Sequence, residues 1–455
     1  MGPINGTIPA AMHRWRSKEE QRLQILDVVL KILIPLFLLA CFVIALKFGS
    51  FNGYVQLLSR QSYTSPLLAL GAGFTLCYLA FQILRTILWW RYKPYALPPG
   101  PLPKITVVIP AYNEGAMVEN AIYSVAGADY PEDQLEIICI DDGSKDDTWA
   151  YIEQARQRFP HLIKAIRFPK NRGKKEGLYA GFTQGKGEFF ITIDSDSIIS
   201  RDTLKQVIAP MLADARIGAV AGNVKVHNRF RSLMARMLAV RFVLAFDFLR
   251  ASQSIYGCVT CTPGALSAYR ASVLRPVLEQ WRDQTFLGKP ATIGEDRALT
   301  NFVLRQGYYS AYQRSALVHT VVPETYQRLC RMYLRWDRAN FRESLVQLSF
   351  IFSNYRKQDR LLPILDFFIT QIEFPLTYLF LGLLMVSFFL YPIVMVKFFA
   401  GLGVITLVYM YYYYHQERDF EFIYGILYSY FAFFALNWVQ PYAFLTLYND
   451  RWLTR

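Results

Sequence analysis

A chain of 455 residues with 53% hydrophobic and 16% aromatic residues is too apolar for an ordinary soluble enzyme, and 18% charged residues are too many for a bare membrane bundle. Composition therefore excludes both extremes and fits a soluble domain joined to membrane spans. A net charge of +14 admits nucleic acid, anionic lipid or an anionic substrate, but many Lys and Arg flank apolar runs, so membrane orientation explains part of it and no nucleic-acid partner is expected.

Six cysteines in this length make no disulfide framework, and Cys258-x-x-Cys261 without a second pair does not read as a zinc site. No cleavable signal-peptide pattern opens the chain. Asn5-Gly6-Thr7 matches a glycosylation sequon, a triplet common by chance.

Residues 1–25 form a basic, cytosolic segment. Two transmembrane helices are expected within 26–93, over Leu26–Leu46 and Pro66–Trp90, each long enough for roughly 30 Å of hydrocarbon. Lys31 lies in the first turns of the first run, where it can snorkel to the interface. Basic residues on both outer flanks place those flanks in the cytoplasm and the loop between outside. The proline-rich linker Ala96–Pro103 marks a domain boundary.

Strands and helices then alternate. Strands are expected at Ile105–Ile109, Leu135–Ile140, Ile163–Phe168, Phe189–Asp196 and Ile217–Val224. Helices are expected at Ala116–Ala126, Asp147–Phe159, Lys174–Gln184 and Thr203–Leu212. This order predicts a parallel, doubly wound sheet within a cytosolic domain over 104–320. Residues 229–255 and 325–352 alternate apolar and basic at helical spacing and read as amphipathic helices, the second within an interface region over 321–360. About three further spans are expected within 361–448, at 364–390, 393–413 and 422–447, with Glu373 and Pro375 complicating the first.

The strand Phe189–Asp196 ends in two carboxylates. Side chains alternate along a strand, so Asp194 and Asp196 point to one side, at the carboxyl end where open α/β sheets bind ligands. Such a pair suits Mg²⁺ or Mn²⁺ shared with substrate phosphates. Asp141 and Asp142 end a neighbouring strand, where they can bind the base and ribose of a nucleotide. Lys174 and Lys175 open a helix after Gly173, an arrangement suited to pyrophosphate. Arg335 can pair bidentately with phosphate oxygens, and Trp336 offers a flat face to a sugar.

Pro110-Ala111-Tyr112-Asn113-Glu114, Asp141-Asp142-Gly143-Ser144, Asn171-Arg172-Gly173-Lys174, Asp194-Ser195-Asp196, Gly294-Glu295-Asp296 and Arg335-Trp336 occur in that order. The set resembles the processive, inverting family 2 glycosyltransferases, above all hyaluronan synthases and rhizobial chitooligosaccharide synthases, over about residues 104–350. Gln284–Gly288, Ile293–Phe302 and Arg338–Ser344 are similar to the hyaluronan synthase pattern. The resemblance implies a GT-A-like α/β nucleotide-sugar transferase domain, mostly parallel in its sheet, inserted between transmembrane helices with amphipathic interface helices.

It further implies Asp296 as the base facing the acceptor, with Glu295 as the lesser candidate. Tyr112, Glu114, Asp141, Asp142, Lys174, Asp194 and Arg335 fall to the nucleotide. Trp336, Cys261 and Arg297 fall to the acceptor, and Asp196 with Asp194 to the metal. The implied partners are UDP-GlcNAc, UDP-GlcA as a second donor, a growing glycan and membrane lipid. The implied location is the plasma membrane, multi-pass, with the catalytic domain cytoplasmic. Hyaluronan is the expected product and chitin or a chitooligosaccharide the alternative. Glu295, where hyaluronan synthases often read Gly-Asp-Asp, leans toward the alternative. Met332-Tyr333-Leu334 before Arg335-Trp336 departs from the Gln-Gln-x-Arg-Trp of many relatives. A non-processive transferase acting on a lipid phosphate is opposed by the Arg-Trp pair and the amphipathic helices. A catalytically inactive scaffold would be expected to have lost carboxylates that are all present here.

Overall fold

The computed structural model describes residues 18–47, 64–353, 356, 358–390 and 392–449. The Asn5 sequon and most of the expected external loop lie outside these residues. Among the described residues the strands are β1 (Ile105–Ala111), β2 (Leu135–Asp141), β3 (Ile163–Arg167), β4 (Phe189–Thr192), β5 (Ile198–Ile199), β6 (Ile217–Val226), β7 (Ser267–Arg270), β8 (Thr285–Phe286), β9 (Lys289–Pro290) and β10 (Tyr309–Thr320). Eight form one sheet in the order β3-β2-β1-β4-β7-β6-β10-β5, and β8 and β9 make a separate hairpin. β1 runs parallel to β2 and β4, β2 to β3, and β6 to β10. β7 is antiparallel to both β4 and β6, and β5 to β10. The sheet is thus mostly parallel, with β7 the inverted strand at its centre.

Both faces are covered, which is why these strands read as unbroken apolar runs. Val107 and Ile109 face a core shared with Ile122, Val125, Ile152 and Val207. Val108 points the other way, to Phe182, Phe190, Trp281 and Leu299. The helix Lys174–Gln184 lies against this second face at glycine-dependent distance: a Cβ on Gly181 would stand 2.3 Å from Cγ1 of Val108. From β1 the chain builds outward to β3 on one side and to β4 on the other. The order reverses between β1 and β4, the crevice where doubly wound sheets take ligands at their carboxyl ends.

Among the described residues four helices are long and apolar enough to cross a membrane: Ile25–Lys47, Ala69–Arg91, Leu361–Val386 and Ile393–Glu417. A fifth span is possible only if Phe422–Leu436 and Val439–Leu445, bent by 45°, act as one. Helix Leu361–Leu390 runs through Glu373 and Pro375 without a break.

Lys31 finds protein partners. Its Nζ pairs with Asp27 and with Glu421, both at 3.0 Å, and Arg236 reaches Asp27 at 2.6 Å. Charges inside an apolar run turn to one another because hydrocarbon cannot solvate them. The 229–255 stretch is correspondingly more buried than a surface helix. It forms Leu233–Val243, a wide π turn over Leu244–Phe248, and Leu249–Ile255. Phe248 stacks on Tyr412 at 4.3 Å, which joins this stretch to the helix Ile393–Glu417.

Gly181→Val should therefore wedge the helix off β1. Overpacking of this kind costs about 1–3 kcal/mol, so purified variant should unfold several degrees below the parent in a thermal scan. An unchanged midpoint would contradict the close approach.

Candidate active site

The crevice is built from loops at the carboxyl ends of β1, β2 and β4. After β1, Asn113 adopts positive φ, its N–H donating to Ser144 Oγ at 3.0 Å while its Oδ1 accepts from Lys145 N–H at 2.9 Å. Glu114 N–H donates to Thr148 Oγ1 at 2.8 Å, and Glu114 Oε1 accepts from Ser195 Oγ at 2.9 Å. The loops after β1, β2 and β4 are thus tied into one rim that holds Tyr112, Glu114 and Ser195.

Asp141 and Asp142 end β2, both buried. Asp141 Oδ1 accepts from Ser144 N–H at 2.9 Å, and Oδ2 faces Arg167 Nε at 3.2 Å. Asp142 grips the next loop with both oxygens, accepting Arg172 N–H at 2.6 Å and Gly173 N–H at 2.8 Å. Burial raises the Asp142 pKa against the pull of those amides. Gly143 sits at φ +71°, and a Cβ there would lie 2.4 Å from the Lys170 carbonyl carbon. The grip depends on glycine at that position.

β4 ends at Thr192, two residues before Asp194, so the carboxylate pair lies in the turn beyond the strand. The ladder runs out there: β1 and β7 pair with β4 only as far as Thr192, and Ser197 N–H then closes a turn onto the Asp194 carbonyl at 3.0 Å. The two side chains still lie close enough to interact. Burial and the Asp194 charge push Asp196 up to about 6, against hydrogen bonds from Thr320 and Ser197, each at 3.2 Å.

Lys174, the first residue of its helix, joins three segments. Its Nζ meets Asp194 Oδ1 at 2.5 Å and Glu295 Oε1 at 3.0 Å. Burial works against its charge, but the carboxylates of Asp194 and Glu295 outweigh it and raise the pKa. Glu295 and Asp296 open the helix Glu295–Arg305 after Gly294, whose φ is +72°. The adjacent carboxylates are driven apart. For Glu295 burial is overcome by Lys174 and Arg335, and its pKa falls. For Asp296 burial and the Glu295 charge prevail, and its pKa rises. Environments that split two neighbouring acids in this way mark acid–base sites. Asp296 is also oriented: Oδ2 accepts from Gly264 N–H at 3.2 Å and Oδ1 from Arg297 N–H at 2.7 Å.

The helix Tyr326–Ile351 closes the site from the other side and carries Arg335 and Trp336. Trp336 is half-buried beside Phe242 at 6.2 Å and Tyr333 at 5.8 Å. Arg297 turns to this helix, with Nη1 on Asn340 Oδ1 and Nη2 on Ser344 Oγ at 2.9 Å. Cys261 borders the site as a neutral thiol, which burial and Asp296 push up to about 12.

Among the described residues no three His, Cys, Asp or Glu side chains group closely enough to cage a metal. Asp194 and Asp196 instead suit an ion whose other ligands come from phosphate and water. Sequence reasoning did not single out Gly264, Thr320 or Glu343. Glu343, fully buried, accepts from Arg342, Asn301 and Gln284 and so locks the helix Glu295–Arg305 to the Trp336 helix. The acidic residue after Arg342 in a basic helix was the available signal.

Residues 106–278 match the profile described as glycosyl transferase family 2. An N-acetylglucosaminyltransferase of Rhizobium leguminosarum bv. viciae is 31% identical over 368 residues, covering 78% of this chain and 82% of that protein. The chain belongs to glycosyltransferase family 2. A hyaluronan synthase of Streptococcus pyogenes is similarly related, 30% identical over 83% of this chain and 89% of that protein. Among solved structures, a mannosyltransferase of Pyrobaculum calidifontis in complex with GDP-Man and Mn²⁺ superposes with a TM-score of 0.57 at 21% identity, over 80% of this chain and 97% of that one. That likeness is one of fold, the GT-A-like arrangement of the sheet. The protein is therefore an enzyme, a glycosyltransferase.

In this glycosyltransferase Gly264 is a sensitive point. A Cβ there would stand 2.5 Å from Lys174 Nζ and 3.4 Å from Asp194 Oδ1. The lysine end can move aside, so Gly264→Ala should fold with little loss of thermal midpoint yet break the Lys174–Asp194 pair. Glycosyl transfer, followed as nucleotide release, should fall at least about tenfold, the equivalent of one charge-assisted hydrogen bond. Parental activity would show that the pair is dispensable.

Proposed function

We propose that this protein is a membrane-embedded, processive, inverting glycosyltransferase that polymerises a β-linked polysaccharide from UDP-sugars and exports it through its own channel. UDP-GlcNAc and UDP-GlcA are the proposed donors and hyaluronan the proposed product. The observation that carries the reading is the Glu295–Asp296 pair: one carboxylate neutralised by Lys174 and Arg335, its neighbour raised and aimed by two backbone amides.

In this reading Asp296 accepts the proton of the acceptor hydroxyl as that oxygen attacks the anomeric carbon. The bond to the pyrophosphate breaks on the opposite face, and UDP leaves with the electron pair. Lys174 and Arg335 neutralise the pyrophosphate, and Glu295 keeps Lys174 in place. Tyr112, Glu114, Asp141 and Asp142 form the nucleotide end. Trp336, Cys261 and Arg297 border the acceptor, Arg297 by holding the Trp336 helix. Asp196, with Asp194, fits a Mg²⁺ or Mn²⁺ ion: a buried carboxylate beside another is disfavoured as an anion until a cation joins it. When bound, that ion would supply positive charge to the departing UDP.

The domain over 104–320 sits in the cytosol under this proposal, since basic residues flank the first two spans on its side. Spans within 26–93 and 361–448 hold it and the 321–360 interface region at the plasma membrane. A growing polar chain cannot cross hydrocarbon unaided, so active site and conduit would be one assembly.

A second reading, a chitin or chitooligosaccharide synthase using UDP-GlcNAc alone, is favoured by Glu295 itself. Its buried pairing with Lys174 makes it an integral residue at the position where the hyaluronan pattern differs.

Purified protein supplied with UDP-GlcNAc, UDP-GlcA and UDP-Glc singly and in pairs separates the readings. Polymer formed only from UDP-GlcNAc plus UDP-GlcA is expected. Polymer from UDP-GlcNAc alone would replace hyaluronan by the chitin-type product, and folded protein that releases no UDP from any donor would overturn both. Asp296→Asn should lower UDP release by about 10²–10⁴-fold, the usual scale for losing a general base, and unchanged release would remove Asp296 from that role. The metal has its own pH signature. Asp196 is protonated below its pKa of about 6 and cannot then ligate. Mn²⁺ affinity measured calorimetrically should weaken by up to about tenfold per pH unit below 6 and level off above 7. Affinity that is flat from pH 5 to 7 would exclude Asp196 as the ligand.

A further inference from the structure

The loop that carries Cys261 and Gly264 is tied to the membrane helices by a buried polar chain that the chemistry above does not use. Asp366, in the apolar helix Leu361–Val386, and Arg85, in Ala69–Arg91, are only 2% and 7% exposed. Arg85 Nη2 meets Asp366 Oδ1 at 2.5 Å and Thr370 Oγ1 at 3.0 Å. The other Asp366 oxygen accepts from Gln253 Nε2 at 2.9 Å. Gln253 passes the connection on. Its Oε1 accepts from Thr260 N–H at 3.4 Å, and its carbonyl accepts from Cys258 N–H at 3.1 Å. Four residues beyond Thr260, Gly264 N–H reaches Asp296.

A buried charge pair within two apolar helices is costly to form, so stability alone is a weak reason for it. What it does supply is a fixed point. Gln253 is the one described residue that bonds both the intramembrane carboxylate and the backbone of the Cys261 loop. That loop is held at its far side by Thr262, whose N–H donates to Thr300 Oγ1 at 3.1 Å on the base-bearing helix.

We propose that Gln253 is a positioning residue which, anchored by the Arg85–Asp366 pair, fixes the Cys261–Gly264 loop and so sets how long the growing chain stays bound between transfers. This rests on the processive reading given above. With the anchor in place the loop borders the acceptor and orients Asp296. Without it the loop loosens, transfer slows and the acceptor leaves sooner, while the donor end of the crevice, built from β1, β2 and β4, is untouched.

Gln253→Met keeps volume and the Arg85–Asp366 pair but removes both side-chain bonds. The full-length variant in nanodiscs should make chains at least about threefold shorter, with kcat lowered and the KM for UDP-sugar donor within about twofold of the parent. A merely structural role would reduce the amount of active enzyme but leave chain length unchanged, and that outcome overturns the proposal. Should Gln253→Met fail to fold, Asp366→Asn, which keeps the shape of the anchor, must shorten the product in the same way or the proposal falls. Failure of the processive reading shows separately, in the parent: UDP release without polymer. The anchor is then judged on kcat for UDP release, which must drop in Gln253→Met at unchanged donor KM.

Discussion

The site turns on one ammonium group. Lys174 Nζ lies between Asp194 and Glu295, residues 20 and 121 positions away in sequence, and so joins the end of β4, the helix Lys174–Gln184 and the helix Glu295–Arg305. Three charges, Glu295 buried and the other two partly so, cannot share so small a volume without mutual compensation. That compensation determines what the neighbours must be. Gly264 has no room for a Cβ against the lysine, and Gly173 precedes it with φ +94°, a conformation that lets the helix begin where its first side chain can reach both acids. The same bridge separates the two acids of the Glu-Asp pair. By neutralising Glu295, Lys174 leaves that residue charged, and the charge in turn raises Asp296.

A comparable rule governs the membrane helices, where water is not available to relieve a mistake. The polar groups detected in apolar runs find protein partners: Lys31 with Asp27 and Glu421, Arg85 with Asp366, Tyr78 with Glu373 at 3.3 Å. Apart from Lys31–Asp27, which lies within one helix, each bond joins elements distant in sequence, so these charges act as register marks between helices. The Asp247 cluster does the same for the sheet domain, holding Trp89, Tyr312 and Arg314 together at the wide π turn.

This explains which features could be read from residue order and which could not. Strands flanked by cores on both sides announce themselves as apolar runs, and β1, β2, β3 and β6 begin at the residues that pattern predicts. The motif order likewise pointed to a shared crevice, because topology alone carries strand ends to one edge. Partners set by tertiary approach were hidden. Nothing local in Lys31 distinguishes snorkelling from pairing with a glutamate 390 positions away. Nothing local in Asp142 indicates that both its oxygens hold a loop, or in Arg297 that it turns to Asn340 and Ser344. The Asp194–Asp196 pair was placed on a strand by its flanking β-branched residues. The strand stops at Thr192: Ile193 N–H still reaches the Val108 carbonyl, but the chain then leaves β1 and turns, Ser197 N–H closing onto the Asp194 carbonyl.

Asp296 and Trp336, the proposed base and acceptor platform, form a single mechanical unit. A Cβ on Gly294 would stand 2.4 Å from the Ala339 Cβ, so the helix that bears Asp296 and the helix that bears Trp336 touch at backbone distance. Glu343 bonds both sides of that contact, and Arg342 donates to the Ile293 carbonyl just ahead of Gly294. Close packing of this kind is not continuously deformable. Any displacement of the platform therefore carries Asp296 with it, while Asp194 and Asp196 stay with the sheet. Lys174 bridges those two bodies by charge, and its flexible stem tolerates small shifts that a backbone contact would not. A phosphate entering beside Lys174 would compete with Glu295 for the same ammonium, so filling the donor end would lower the positive charge available to Glu295. Under the proposed assignment it would thereby act on the Asp296 carboxylate through its neighbour, without moving either helix.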